Sequence, residues 1–213
     1  MSIDVKICGL SDQAAVACAV DGGAAMVGFV FFPASPRHLT PQQAAALTGD
    51  VPDNIIRVAL TVDADDALLA DIAATAGIDM LQLHGQETPE RVKAIRARYG
   101  MPVMKMLPIA AAADVAGPEA YEDVADRFLF DAKPPKDATR PGGNAEAFDW
   151  DLLKDNSCRK PWMLAGGLTA ENLAEAVKIS GAEAVDVSSG VEDAPGVKSI
   201  DKIREFLAVA NSL

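Results

Sequence analysis

Short apolar runs alternate along this chain with longer alanine-rich stretches of helical period. The runs are VKICG from Val5, MVGFVFF from Met26, IIRVALTV from Ile55, MLQLHG from Met80, PVMKMLPI from Pro102, RFLFDA from Arg127, PWMLAGG from Pro161 and AVDVSSG from Ala184. Each is too short for a typical helix and rich in β-branched or large apolar residues, as parallel strands buried on both faces are. The stretches between them carry helix-start signals. Ser11 is placed to cap SDQAAVACAVDGG, Thr40 followed by Pro41 opens TPQQAAALTG, and Asp63 or Asp65 caps DDALLADIAATAG. Thr88 and Pro89 open TPERVKAIRARYG, and Thr169 opens TAENLAEAVKISG. Gly22, Gly77, Gly100 and Gly181 stand where a left-handed residue is expected to end a helix. After RFLFDA the pattern changes, with KPPKDATRPGGN reading as loop before a short FDWDLLKD.

Eight strand-and-helix units without a composition break predict an α/β protein, a (β/α)8 TIM barrel of eight parallel strands forming one domain over residues 1–213. The mean unit is about 27 residues, which implies short loops. An open doubly wound sheet is the runner-up, but no GxGxxG follows the first strand.

Half of the residues are apolar, enough for a sizeable core, and aromatics are few. Lys and Arg number 19 against 31 Asp and Glu, a formal charge of −12, and no basic patch carries interleaved aromatics, so nucleic acid is not an expected partner. An anion must then be held by local donors, against the field of the whole chain. Cys8, Cys18 and Cys158 are odd in number, far apart and without zinc-like spacing, which fits a reducing compartment. The N-terminus lacks signal-peptide or transit character, and no apolar run is of membrane-spanning length. A soluble cytoplasmic protein without membrane contact is expected.

A barrel of this type places its chemistry at the C-terminal strand ends. The polar residues there are Cys8, Ser35, Arg37, Asp63, His84, Asp131, the pair Gly166 and Gly167, and Asp186, Ser188, Ser189 and Gly190. The endings AGGLTAENL and DVSSGVE on strands seven and eight suit a phosphate, because glycines let backbone N–H groups approach an anion. Read singly, they are a tight turn and a helix cap. Arg37 between two prolines is either a bidentate grip for a carboxylate or a surface partner of an acid. His84 is either a site residue or a satisfied strand-end histidine. Cys8 is either a small core residue or a thiol placed to move a proton. Asp131 is either a helix cap or partner of Lys133, or an acid facing Cys8 across the barrel mouth. The pair could do acid–base work if their surroundings move both pKa values toward neutrality, with the preceding FLF desolvating Asp131 and Asp186 helping to keep it protonated.

With these residues in place the chain resembles the phosphoribosylanthranilate isomerase family, aldose–ketose isomerases of tryptophan biosynthesis. The likeness runs nearly end to end through KICGL (Lys6 to Leu10), GFVFFPASPRHLT (Gly28 to Thr40), LQLHGQE (Leu81 to Glu87), LFDAK through PGG to FDW (Leu129 to Trp150), LAGGLTAENL (Leu164 to Leu173) and VDVSSGVE (Val185 to Glu192). The resemblance implies Cys8 as general base, Asp131 as general acid and Arg37 as partner of the anthranilate carboxylate. It places Gly166, Gly167, Ser188, Ser189 and Gly190 at the phosphate, with His84 and Asp186 in the site. It implies an Amadori rearrangement of phosphoribosylanthranilate, a small-molecule partner, without cofactor or metal because the substrate's own nitrogen is the electron sink. A monomer is expected, with a homodimer as the alternative. One departure stands out: after Gly142 and Gly143 comes Asn144 and then Ala145, where the family pattern has a small residue and another glycine. That bears on how the sixth loop closes, not on the catalytic pair. Two rivals are a phosphate-binding barrel without catalysis and an isomerase of another phosphorylated aminoaldose. A histidine-pathway isomerase would be expected to carry Asp where Cys8 stands.

Overall fold

Each of the eight apolar runs is a strand in the computed structural model, which describes residues 3–133, 148–154, 156 and 158–213. β1 (Asp4–Cys8), β2 (Met26–Phe31), β3 (Ile56–Thr61), β4 (Met80–Leu83), β5 (Val103–Ile109), β6 (Arg127–Ala132), β7 (Trp162–Leu164) and β8 (Ala184–Val187) pair in chain order. β8 pairs in turn with β1, closing a parallel barrel that forms a single domain. Lys6 lies between Met26 of β2 and Asp186 of β8, Cys8 lies opposite Gly28, and Leu129 opposite Met163.

Alternation along each strand sorts residues to two sides. Ile7, Phe29, Leu81, Phe128, Phe130 and Val185 belong to the large core between sheet and helices. Residues of the other parity, among them Met26, Val58, Met104, Leu129 and Ala184, form a second apolar cluster inside the barrel. Five of the chain's seven methionines sit there, where unbranched side chains fill an irregular interior. Toward the C-terminal strand ends the inward positions turn polar, at Cys8, Gln82, His84, Asp131 and Asp186, with Lys6 beside them. Phe128 and Phe130 face the helices, so the FLF run does not line Asp131 in the way the sequence suggests.

The helices are α1 (Gln13–Asp21), α2 (Pro41–Thr48), α3 (Asp66–Thr75), α4 (Pro89–Tyr99), α5 (Leu173–Ser180) and α6 (Ile200–Asn211). Thr40 caps α2 in a reciprocal box with Gln43, Asp65 caps α3 and Thr88 caps α4. Three boundary expectations fail for local reasons. Asp12 rather than Ser11 caps α1, its Oδ1 accepting from Ala15 N at 2.9 Å, a charged acceptor at the positive helix end. Gly22 is right-handed at φ −77°, and the left-handed step falls one residue later on Gly23. Thr169 starts a turn instead of a helix, because Asn172 Oδ1 takes its N–H and α5 begins at Leu173.

The connections after β5 and β6 carry no α-helix among the described residues. After β5 stands a 3-10 stretch, Ala112–Ala120, containing Gly117 and Pro118, which interrupt α-helical bonding. After β6 a 3-10 turn spans Trp150–Leu153. The sixth-loop residues Gly142, Gly143, Asn144 and Ala145, and the loop reading of KPPKDATRPGGN, lie outside the described residues. Among the described residues no helix is long and apolar enough to cross a membrane.

Candidate active site

The polar strand ends form two groups. The first surrounds Cys8, which is buried at the end of β1 in phase with Lys6. Lys6 Nζ donates to Asp186 Oδ1 at 2.8 Å, and both residues are buried. A Cβ at Gly28 would lie 3.0 Å from Cys8 Sγ and 3.1 Å from Lys6 Cε, so the thiol and the ammonium stem share the space left by that glycine. Burial works against the Lys6 ammonium most strongly, but the attraction and hydrogen bonding of Asp186 and Cys8 together outweigh it, and its pKa stands above the ordinary lysine value. Burial pushes the Cys8 thiol up, and the Lys6 charge opposes that rise without cancelling it. This shift runs away from neutrality, opposite to what the sequence argument requires of a base. Asp186, expected beside Asp131 as a second acid, is instead ion-paired to Lys6 beneath Cys8.

Arg37, only 4 % exposed, is not a surface arginine. Its Nε and Nη2 donate to Glu192 Oε1 and Oε2 at 2.7 and 2.8 Å. Ser35 Oγ accepts from Arg37 N at 3.2 Å and shapes that loop.

The second group surrounds Asp131. Its Oδ2 lies 3.5 Å from His84 Nε2, and its Oδ1 accepts from Ala132 N at 2.8 Å. The Gln82 amide meets His84 Nδ1 at 3.0 Å. With that amide donating, Nε2 carries the ring proton and faces the carboxylate. Asp63 belongs to neither group. It has φ +47°, its Oδ1 accepts from Gln86 N at 2.7 Å and its N–H donates to Glu87, so it ties the β3 and β4 loops together.

Between the groups lie the ends of β7 and β8. Gly166 and Gly167 have φ +91° and +61°, and a Cβ at Gly166 would come within 2.9 Å of Ala132 N. Asn172 Nδ2 donates to Gly167 O and fixes the turn. Among the described residues no backbone acceptor takes the N–H of Gly167, and Ser189 and Gly190 open a 3-10 turn, Ser189–Val191, whose first N–H groups have no acceptor within the turn. Ser188 is turned elsewhere, its Oγ 3.3 Å from Lys198 Nζ. The two loops touch closely: a Cβ at Gly190 would sit 1.9 Å from Leu168 O. Gly190→Ala is therefore expected to lower stability in urea by about 1–3 kcal/mol, and an unchanged unfolding midpoint would contradict the close approach.

Residues 5–209 match the family model described as N-(5'phosphoribosyl)anthranilate (PRA) isomerase. The chain belongs to this family. An N-(5'-phosphoribosyl)anthranilate isomerase of Paramagnetospirillum magneticum is 57 % identical over 210 residues, covering 99 % of this chain and 98 % of that protein. A crystal structure of phosphoribosyl anthranilate isomerase with reduced 1-(o-carboxyphenylamino)-1-deoxyribulose 5-phosphate is 31 % identical, with a TM-score of 0.84, over 99 % of this chain and 100 % of that one. Monomers of a dimeric phosphoribosylanthranilate isomerase from Thermotoga maritima give 32 % identity and a TM-score of 0.84, with the same coverage. Within this PRA isomerase fold, sequence reasoning missed Lys6, Gln82, Glu192 and Lys198. A signal existed for the first two, each in phase with a singled-out residue, Cys8 or His84, two positions along the same strand. Glu192 ends the VDVSSGVE motif, but nothing in the sequence names its partner, and Lys198 carries no signal, since a hairpin after β8 folds both back onto the site. Among the described residues no three His, Cys, Asp or Glu side chains gather as a metal site would need.

Proposed function

We propose that this enzyme of the PRA isomerase family converts N-(5-phosphoribosyl)anthranilate to 1-(2-carboxyphenylamino)-1-deoxyribulose 5-phosphate, an Amadori step of L-tryptophan biosynthesis, with Asp131 as general acid and Cys8 as general base. What carries the reading is the family match over residues 5–209 combined with Cys8 and Asp131 both standing at inward strand ends. Asp131 gives its proton to the furanose ring oxygen, the C1–O bond breaks, and the nitrogen lone pair forms an iminium with C1. Cys8, as its thiolate, then takes the C2 proton and becomes the neutral thiol. The C–H electrons become the C1–C2 double bond, the iminium electrons return to nitrogen, and the enolamine tautomerises to the ketose.

The upward shift of Cys8 means that burial by itself disfavours the thiolate this step needs. A cationic iminium beside a buried thiol, with Lys6 on its other side, supplies the attraction that burial alone denies the thiolate. His84, its tautomer set by Gln82, stabilises the Asp131 carboxylate left after proton transfer. The unclaimed N–H groups of Gly167, Ser189 and Gly190, with Gly166 and Ser188 shaping their loops, hold the phosphate, and Arg37 holds the anthranilate carboxylate. Thus an acidic chain meets an anionic substrate through local donors at each end.

Three free cysteines support a reducing, cytoplasmic setting. Val197 and Leu213 are the large apolar side chains left exposed among the described residues, which supports a monomer. The test is turnover of freshly generated phosphoribosylanthranilate, followed through its anthranilate chromophore. Turnover by the folded protein is expected; its absence would leave a phosphate-binding barrel without this chemistry.

A further inference from the structure

We infer that Glu192 is a positioning residue for substrate recognition: it holds one edge of the Arg37 guanidinium so that the opposite edge is presented to the substrate's carboxylate. The inference rests on the reading of Arg37 given above. Glu192 opens a small antiparallel hairpin, β9 (Glu192–Ala194) with β10 (Val197–Lys198), between β8 and α6. Its neighbours Asp193 and Ala194 are exposed, yet Glu192 is buried.

Both of its oxygens are fully engaged. Oε1 accepts from Arg37 Nε at 2.7 Å and Lys198 Nζ at 2.9 Å; Oε2 accepts from Arg37 Nη2 at 2.8 Å and Gly196 N at 3.1 Å. A carboxylate so occupied has little left to offer a ligand, so its influence on the substrate passes through what it holds. What it holds is one anion between two cations, a local surplus of one positive charge in a chain of net charge −12. Burial pushes the Glu192 carboxyl up, but the Arg37 hydrogen bond and the Lys198 charge outweigh this and keep its pKa below the ordinary range. Glu192 is therefore an anion at neutral pH.

The geometry leaves Arg37 one free edge. Nη1 takes no part in the Glu192 pair, and among the described residues it has no hydrogen-bond partner, so the edge it forms with Nη2 is the one left for a ligand's carboxylate. The arginine stem runs along Gly9, where a Cβ would lie 2.4 Å from Arg37 Cδ, directly beyond Cys8. The hairpin rests on the arginine's own loop, since a Cβ at Gly196 would lie 2.7 Å from Pro36 O. Two parallel hydrogen bonds fix the guanidinium plane, and a fixed plane is what a bidentate carboxylate contact rewards.

A hairpin anchor alone would explain these contacts equally well, so the test must separate recognition from folding. Dissociation constants are measured by calorimetry for two ligands: reduced 1-(o-carboxyphenylamino)-1-deoxyribulose 5-phosphate, and its counterpart made from aniline, which lacks the carboxylate. Arg37→Met and Glu192→Gln are each expected to weaken the first by about tenfold or more and the second by less than about threefold, with the double variant losing little further. If Glu192→Gln does not fold, Glu192→Asp, which keeps the charge but retracts it by one methylene, is expected to show the same selective loss. Equal weakening of both ligands by the Glu192 variants, or weakening of neither, overturns the inference while a selective Arg37→Met leaves the carboxylate reading intact. Loss of selectivity in Arg37→Met itself overturns that reading and this inference with it.

Discussion

Asp131→Asn and Cys8→Ser are each expected to lower kcat on phosphoribosylanthranilate by about 10²–10⁴-fold, the range that a positioned acid or base supplies. Both changes are nearly isosteric. Asparagine keeps an oxygen for the Ala132 N–H that Asp131 Oδ1 now accepts, so the loop has no reason to move, but it has no acidic proton for the ring oxygen. Serine keeps the small side chain that fits against Gly28 beside Lys6, but its hydroxyl does not ionise to a useful base even next to an ammonium. Neither variant should change the unfolding midpoint by much, and each should still bind the reduced product analogue, because neither residue is assigned to the phosphate or the carboxylate. Turnover within a few-fold of the parent in either variant would remove that residue from the acid–base pair. Loss of analogue binding along with turnover would point to a disturbed site instead of missing chemistry.

Lys6→Met is expected to be the most destabilising single change in the site, by about 3–5 kcal/mol, because it leaves Asp186 buried without its cation. The Lys6 to Asp186 contact is 2.8 Å, with the lysine side chain wholly inaccessible and the aspartate side chain 9 % exposed, so water offers little relief to a stranded carboxylate. The double variant Lys6→Met with Asp186→Leu removes both charges and should recover most of the lost stability in urea unfolding. Its turnover should nevertheless stay low, since the cation that offsets the burial of the Cys8 thiol is gone. A single variant within about 1 kcal/mol of the parent would show that the pair contributes little, and full activity in the double variant would separate Lys6 from Cys8.

Different parts of the molecule were legible in the sequence to different depths. The strands could be read because a parallel barrel buries both faces of every strand, which writes continuous apolar runs such as MVGFVFF and RFLFDA. Caps were legible where one residue dominates, as at Thr40 with Pro41. They were misread where neighbours compete, as at Ser11 and Asp12, or where a side chain three residues on takes the first N–H, as Asn172 does from Thr169. The segment after β5 is 3-10 because Gly117 and Pro118 interrupt α-helical bonding within an alanine-rich background.

The candidate site divides along the same line. Alternation along a strand is local, so the sequence by itself determined that Cys8 and Asp131 stand at strand ends, that glycines punctuate the ends of β7 and β8, and that these positions match one family's motifs. Partnership is not local. Lys6 and Asp186 lie 180 residues apart, and Arg37 and Glu192 lie 155 apart. No periodicity relates residues so distant. They meet because β8 closes onto β1 and the hairpin beyond it folds back over the β2 loop. That closure alone decided that Asp186 serves Lys6 instead of Asp131, and that Arg37 is buried against Glu192. In a low-dielectric interior each charge must find an opposite charge within hydrogen-bonding distance, and only the closed barrel sets which charges are within reach.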